Sequence, residues 1–130
     1  MKERLNAVTE TIIASALDVH EELGPGMLES CYDACLAFEL LRRGLRIERQ
    51  KALPLVYSGQ RLNCGYRLDL LVEESVVVEV KAVERLEKVH SAQLLSYLRL
   101  SGCTVGLLIN FNMRWLVREG VKRVVNGFPD

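Results

Sequence analysis

The stretch Asp69-Leu-Leu-Val-Glu-Glu-Ser-Val-Val-Val-Glu79-Val-Lys81 decides how this chain is read. Two short apolar runs flank the polar triplet Glu73-Glu74-Ser75, which is the pattern of a β-hairpin. Side chains alternate across a strand, so Leu68, Leu70 and Val72 share one face, and Arg67, Asp69 and Leu71 share the other. In the second strand Val76, Val78, Val80 and Ala82 share a face opposite Val77, Glu79, Lys81 and Val83. A three-residue turn pairs Val72 with Val76, Leu70 with Val78 and Leu68 with Val80, which leaves one face wholly apolar. A slip by one residue would press charges against that core. The same register sets Asp69 opposite Glu79 and Arg67 opposite Lys81. Like charges so placed, about 4.5–5.5 Å apart at Cβ, destabilise a sheet. A bound cation would turn that repulsion into chelation. The alternative is a solvated face whose charges settle into diagonal pairs. Two carboxylates and a lysine on one face are what a divalent-metal site for phosphodiester chemistry needs.

Outward from the hairpin, the chain reads as α-β-β-β-α-β. Residues from about Leu5 to Leu23 carry helical spacing, with Ile12, Ile13, Ala16, Leu17 and His20 on one face. Gly24-Pro25-Gly26 breaks that helix. A second helix runs from about Leu28 to Arg43 along the row Leu28, Tyr32, Cys35, Leu36 and Glu39, with Gly44 at its end. A strand near Ile47–Tyr57 is interrupted or at an edge at Pro54, and Ser58-Gly59-Gln60 is a turn. The hairpin strands are expected from about Leu62 to Val72 and Val76 to Val83. A helix from about Lys88 to Leu100 stops at Ser101-Gly102. Thr104 to Asn110 is continuously apolar, as a buried strand would be, and Trp115 to Val125 adds a short strand or hairpin.

Length and composition fit one domain over residues 1–130, large enough to bury a core. No apolar run approaches the roughly 18 residues of a membrane span. Met1-Lys-Glu-Arg-Leu-Asn lacks the apolar segment of a secretion leader. Cys31, Cys35, Cys64 and Cys103 form no CxxC pair, and only His20 and His90 could join them at zinc. Free thiols in a reducing cytoplasm are the expectation. The net charge of zero hides a segregation. Residues 1–41 carry eight acids and two bases, whereas Arg42, Arg43, Arg46, Arg49, Lys51, Arg61 and Arg67 meet only Glu48. Arg114, Arg118, Lys122 and Arg123 form a second basic stretch around Glu119. A neutral total argues against a dedicated, tight DNA-binding protein. Local basic stretches would face phosphate if the fold gathers them, and otherwise are scattered solvated charge.

Three further places carry candidate groups. Glu29 lies one turn into the second helix, near its N-terminus, where an acid complements the helix dipole, or serves as a third carboxylate or positions water. His90, Gln93, Leu94 and Tyr97 share one helical face, on which Gln93 and Tyr97 are neighbours able to hydrogen-bond a phosphate. His20, on the inner face of the first helix, reads as a satisfied core residue.

Leu23-Gly-Pro-Gly26-Met-Leu-Glu29-Ser-Cys-Tyr32 resembles the signature of the GxxExxY proteins, carried here by Gly26, Glu29 and Tyr32. Gly65-Tyr-Arg-Leu-Asp69, Glu79-Val-Lys81, His90-Ser-Ala-Gln93-Leu-Leu-Ser-Tyr97-Leu and Gly106-Leu-Leu-Ile-Asn-Phe111 extend the resemblance over roughly residues 8–125. That family belongs to the PD-(D/E)XK nuclease-like superfamily. The resemblance implies an α/β (α+β), restriction-endonuclease-like αβββαβ core whose mixed central sheet is flanked by helices. It implies Asp69, Glu79 and the Val80 carbonyl as ligands of Mg²⁺ or Mn²⁺, with Lys81 beside the attacking hydroxide. Glu29 matches the extra acid of many superfamily nucleases, and Gln93 the polar residue on the helix after Glu-x-Lys; Tyr97 is placed with it. Leu68 stands where the superfamily name has proline.

These groups imply metal-dependent hydrolysis of nucleic acid, DNA or RNA. The competing class is a non-catalytic nuclease-fold module that binds nucleic acid or oligomerises. The same groups could also serve a small-molecule or nucleotide substrate. A core this small covers little nucleic acid, which points to a symmetric homodimer.

Overall fold

The protein is described from a computed structural model over residues 1–127; residues 128–130, which close the domain expected over 1–130, lie outside the described residues. From the N-terminus it forms α1 (Lys2–Leu23), α2 (Glu29–Arg42), β1 (Ile47–Ala52), β2 (Leu55–Tyr57), β3 (Gln60–Leu62), β4 (Arg67–Val72), β5 (Val76–Lys81), α3 (Lys88–Ser101), β6 (Val105–Asn110) and β7 (Val121–Val125). A π-helical turn at Leu116–Gly120 precedes β7.

The hairpin forms in the register that the alternation demands. Leu70 pairs with Val78 and Val72 with Val76 across antiparallel β4 and β5. Glu73 and Glu74 close the turn with φ of +52° and +53°, an uncommon conformation for residues with a Cβ. The Glu73 carboxylate offsets part of that strain by accepting the Arg46 N–H at 2.6 Å.

The hairpin sits inside a five-stranded sheet of order β1-β4-β5-β6-β7, while β2 and β3 form a separate two-stranded ribbon. β5 and β6 are parallel and the other neighbours antiparallel, so α3 is the crossover between them. Leu5, Val8, Ile12 and Ala16 of α1 and Tyr32, Leu36 and Leu40 of α2 pack on one face against Leu70, Val72, Val78 and Val80. Leu94, Tyr97 and Leu98 of α3 cover the other, against Leu71, Val77 and Leu108. Each such Leu or Val contributes about 1.5–3 kcal/mol on burial, so packing on both faces sets the register more firmly than the turn does. The polar face of the hairpin is therefore not a solvated surface.

Several expected details change. Leu68 does not share a face with Leu70 but packs in the α3-side cluster, because alternation breaks at Asp69. The expected strand Leu62–Val72 is two strands, since the Asn63 side chain accepts the Gly65 N–H and Gly65 turns at φ +77°. The second hairpin strand ends at Lys81, two residues early. On α1 the buried row is Leu5, Val8, Ile12, Ala16 and Val19, leaving Leu17 exposed and His20 half-buried. On α2, Leu28 is an exposed N-cap rather than a core residue. The interruption at Pro54, the stop at Gly102 and the fully buried β6 stand as expected.

Candidate active site

The sheet opens at the acidic end of the hairpin. The β4–β5 ladder runs to Leu70–Val78, and Asp69 and Glu79 come next. There the side chains take over from the backbone. The Asp69 N–H donates to Glu79 Oε2 at 2.9 Å, and the Val80 N–H donates to Asp69 Oδ2 at 2.8 Å. The β1–β4 ladder also skips the pair Gln50–Asp69, where Gln50 takes φ +49°. A local distortion on both sides of Asp69 thus sets its carboxylate beside Glu79 and turns Leu68 to the other face.

The electrostatics follow from burial. Glu79 is only 5% exposed, and that desolvation, with the charge of Asp69, pushes its carboxyl up to about 8 against the opposing pull of the Asp69 N–H. Asp69 is raised too, by burial first, with the Val80 N–H opposing and the Asp33 charge adding. Lys81 pulls both groups down. The pair titrates as a unit and keeps a proton near neutrality, and a cation would supply the same neutralisation.

The segment after Lys81 is tied on every side. The Phe111 N–H donates to the Lys81 carbonyl at 2.9 Å. Glu29 Oε2 accepts the Ala82 N–H at 3.1 Å. Buried Asn110 accepts the Val83 N–H at 3.0 Å and donates to the Val83 carbonyl at 2.9 Å. The loop before α2 is held by Tyr32, whose hydroxyl accepts the Met27 N–H at 3.0 Å and donates to the Gly24 carbonyl at 2.5 Å. The Tyr32 ring stacks on Phe111 at 4.6 Å between centroids. Gly26, at φ +99°, makes the turn that only glycine adopts readily. Gly26, Tyr32 and Glu29 thereby form one device that brings α2 to the end of β5.

Glu29, Asp69, Glu79 and Lys81 are thus brought together, and Tyr97 joins them. Its phenol is raised by burial and then by the charge of Glu79. Val80 is fully buried. Gln93 stays exposed at the rim, lining a shallow cavity of about 210 Å³ with Tyr66 and Tyr97. His90 is engaged elsewhere: its Nδ1 accepts the Glu87 N–H at 2.8 Å in a capping box that starts α3.

Two members of this group were missed in the sequence. Asp33, buried one turn after Glu29, raises both Asp69 and Glu79 and is held by Arg49 at 3.4 Å and Gln50 at 3.2 Å. Its four-residue spacing from Glu29 was the available signal. Asn110 was visible only as a polar residue ending an apolar strand. The donors at hand are hard oxygens, the chemistry a divalent ion of the Mg²⁺ class takes. Among the described residues no three His, Cys, Asp or Glu side chains converge as a metal-holding group.

A sequence model of the PD-(D/E)XK nuclease superfamily matches residues 6–124. The chain belongs to that superfamily. Its mixed five-stranded sheet, with helices on both faces, is consistent with the restriction-endonuclease-like fold. No curated protein and no solved structure matches the chain. Asp69 and Glu79, which meet at the hairpin end, lie within the matched residues.

Proposed function

We propose that this PD-(D/E)XK protein is a nuclease that hydrolyses nucleic-acid phosphodiester bonds with a divalent metal. The supporting observation is the buried Asp69–Glu79 pair, whose raised carboxyls mark a place where negative charge lacks a counter-ion. Asp69, Glu79 and the Val80 carbonyl would hold Mg²⁺ or Mn²⁺. When bound, the ion supplies an acidified water and charge for the phosphate. Lys81 sets a positive charge beside the carboxylates. Glu29 holds the Ala82 N–H, so it steadies the strand end that carries Lys81 while keeping a further acid at hand. Tyr97 and Gln93 offer a phenol and an amide to the phosphate. The narrower GxxExxY grouping, carried by Gly26, Glu29 and Tyr32, is part of the same proposal. We take the working form as a homodimer in the cytoplasm, on the small size of the core and the free cysteines among the described residues. No helix among the described residues is long and apolar enough to cross a membrane.

The test has two readouts. Mn²⁺ should raise the melting temperature of the wild type and not of Asp69→Asn or Glu79→Gln. Nucleic-acid cleavage should require metal and be lost in those variants and in Lys81→Ala; cleavage that survives all three changes refutes the proposal. One observation favours a second reading, a non-catalytic nucleic-acid-binding or oligomerising module: an oxygen of each carboxylate is already committed to a backbone N–H. Calorimetry that detects no Mn²⁺ binding at millimolar concentration would support that reading.

A further inference from the structure

The basic stretch expected to face phosphate is mostly spent inside the molecule. Arg42 pairs with Glu39, Arg43 with Asp18, Arg46 with Glu73, Arg49 with Asp33 and Lys51 with Glu48. Arg67 donates to the Gln50 carbonyl at 3.4 Å. Arg61 alone of the seven is exposed without a partner among the described residues.

Arg114 and Arg118 are exposed and have no carboxylate partner among the described residues. Between them stands Trp115, 52% exposed, with the Arg114 guanidinium 5.0 Å from its ring centroid. Leu17 and Val117, also exposed, extend the apolar surface around the indole. Shallow cavities of about 390 and 290 Å³ adjoin Trp115, both bordered by Leu17. Glu21 is the one acid that lines either.

The segment is fastened rather than loose. His20 Nε2 donates to the Met113 carbonyl at 2.5 Å, and Glu119 accepts the Trp115 N–H at 3.2 Å. A Cβ on Gly120 would lie 2.3 Å from the Asn110 carbonyl oxygen, so the π-helical turn packs hard against the end of β6. Its position relates it to the acidic site. β6 runs parallel to β5 with Lys81 paired to Asn110, so this segment leaves the sheet at the end that carries Glu79 and Lys81. Arg114 follows Asn110 by four residues, a reach of at most about 14 Å.

We propose that Arg114, Trp115 and Arg118 form a binding site for single-stranded nucleic acid, in which an unpaired base stacks on the indole and flanking phosphates meet the two guanidinium groups. Stacking on an aromatic side chain requires a base free of its neighbours, and arginine beside the ring supplies both charge and a flat surface. The site deepens the nuclease reading by naming its substrate class, and rests on that reading for the identity of the polymer.

Trp115 is the only tryptophan of the chain, so its fluorescence reports on the site directly. Oligothymidine titrated into the wild-type protein in EDTA should quench it saturably, and a duplex of equal length should do so far less. Anisotropy of a labelled strand should show binding weakened about tenfold by Trp115→Ala, the scale of one lost stacking contact, and less by Trp115→Phe, which keeps a ring. Arg114→Ala and Arg118→Ala should each lower the slope of log affinity against log salt by about 0.7. An unquenched tryptophan, unchanged affinity in Trp115→Ala, or equal binding of duplex would overturn the proposal. So would a signal that tracks protein concentration, because a second copy would then occupy this face. The two readings fail separately. Cleavage with a silent tryptophan removes this site and leaves the nuclease; quenching without metal-dependent cleavage leaves the site and removes the nuclease.

Discussion

Replacing Glu79 with glutamine isolates the cost of keeping two acids buried side by side. In the unfolded chain this carboxyl titrates near 4.5; in the folded protein burial and Asp69 push it up to about 8. A group raised on folding holds its proton better in the native state. Its contribution to stability is therefore full below pH 4.5 and is lost as pH rises through about 8. Within that window the unfolded state has released a proton that the native state keeps, so stability falls by about 1.4 kcal/mol per pH unit. Between pH 5 and 9 the loss is about 4 kcal/mol, a large part of the 5–15 kcal/mol typical of a domain. Asp69 shifts in the same direction. Glu73 acts oppositely, because the Arg46 N–H holds its carboxyl low, but its contribution is lost only below pH 4.5. Glutamine keeps the shape and a carbonyl to accept the Asp69 N–H, and it cannot ionise. Urea denaturation in EDTA at each pH from 5 to 9 should therefore show wild type weakening steeply and Glu79→Gln weakening much less, with the variant the more stable above pH 7. Saturating Mn²⁺ at pH 8 should restore the wild type and leave the variant unmoved. Parallel pH profiles for the two proteins, or a wild type that remains the more stable at pH 9, would refute the assignment of Glu79 as a buried, counter-ion-deprived acid.

Other changes probe the supports around the site. Asn110→Ala removes the two-way bond to Val83 from a fully buried position and should lower stability by about 1–3 kcal/mol, measured by denaturant midpoint. Tyr32→Phe leaves the Met27 N–H and Gly24 carbonyl without their shared partner and should cost a similar 1–3 kcal/mol, with hydrogen exchange accelerated in the loop before α2. Gly120→Ala sets a methyl against the Asn110 carbonyl and should destabilise by about 1–3 kcal/mol in thermal melts; an unchanged melting temperature would mean that the π-helical turn is free to shift.

The sequence by itself determined the order of elements and the hairpin register, because both rest on periodicity that a short stretch carries within itself. With β4 and β5 alternating around a three-residue turn, Asp69 and Glu79 had to be neighbours, and they are. The tertiary structure decided what that neighbourhood means. Only the packing of α3 over the polar face buried Glu79 and raised its carboxyl. Only the distortion at Gln50 and Asp69 moved Leu68 to the other face, where strict alternation would not have placed it. Asp33 and Asn110 reached the site from distant elements, and no local period announces such an arrival. The basic stretch at 42–67 was legible as charge, but its partners Asp18, Glu73 and Asp33 lie on other elements, while Glu39 and Glu48 stand three residues from Arg42 and Lys51 on the same helix and strand. Burial and charge pairing are sums over neighbours in space, whereas periodicity is a property of neighbours along the chain, so the first could be known only once the chain was folded.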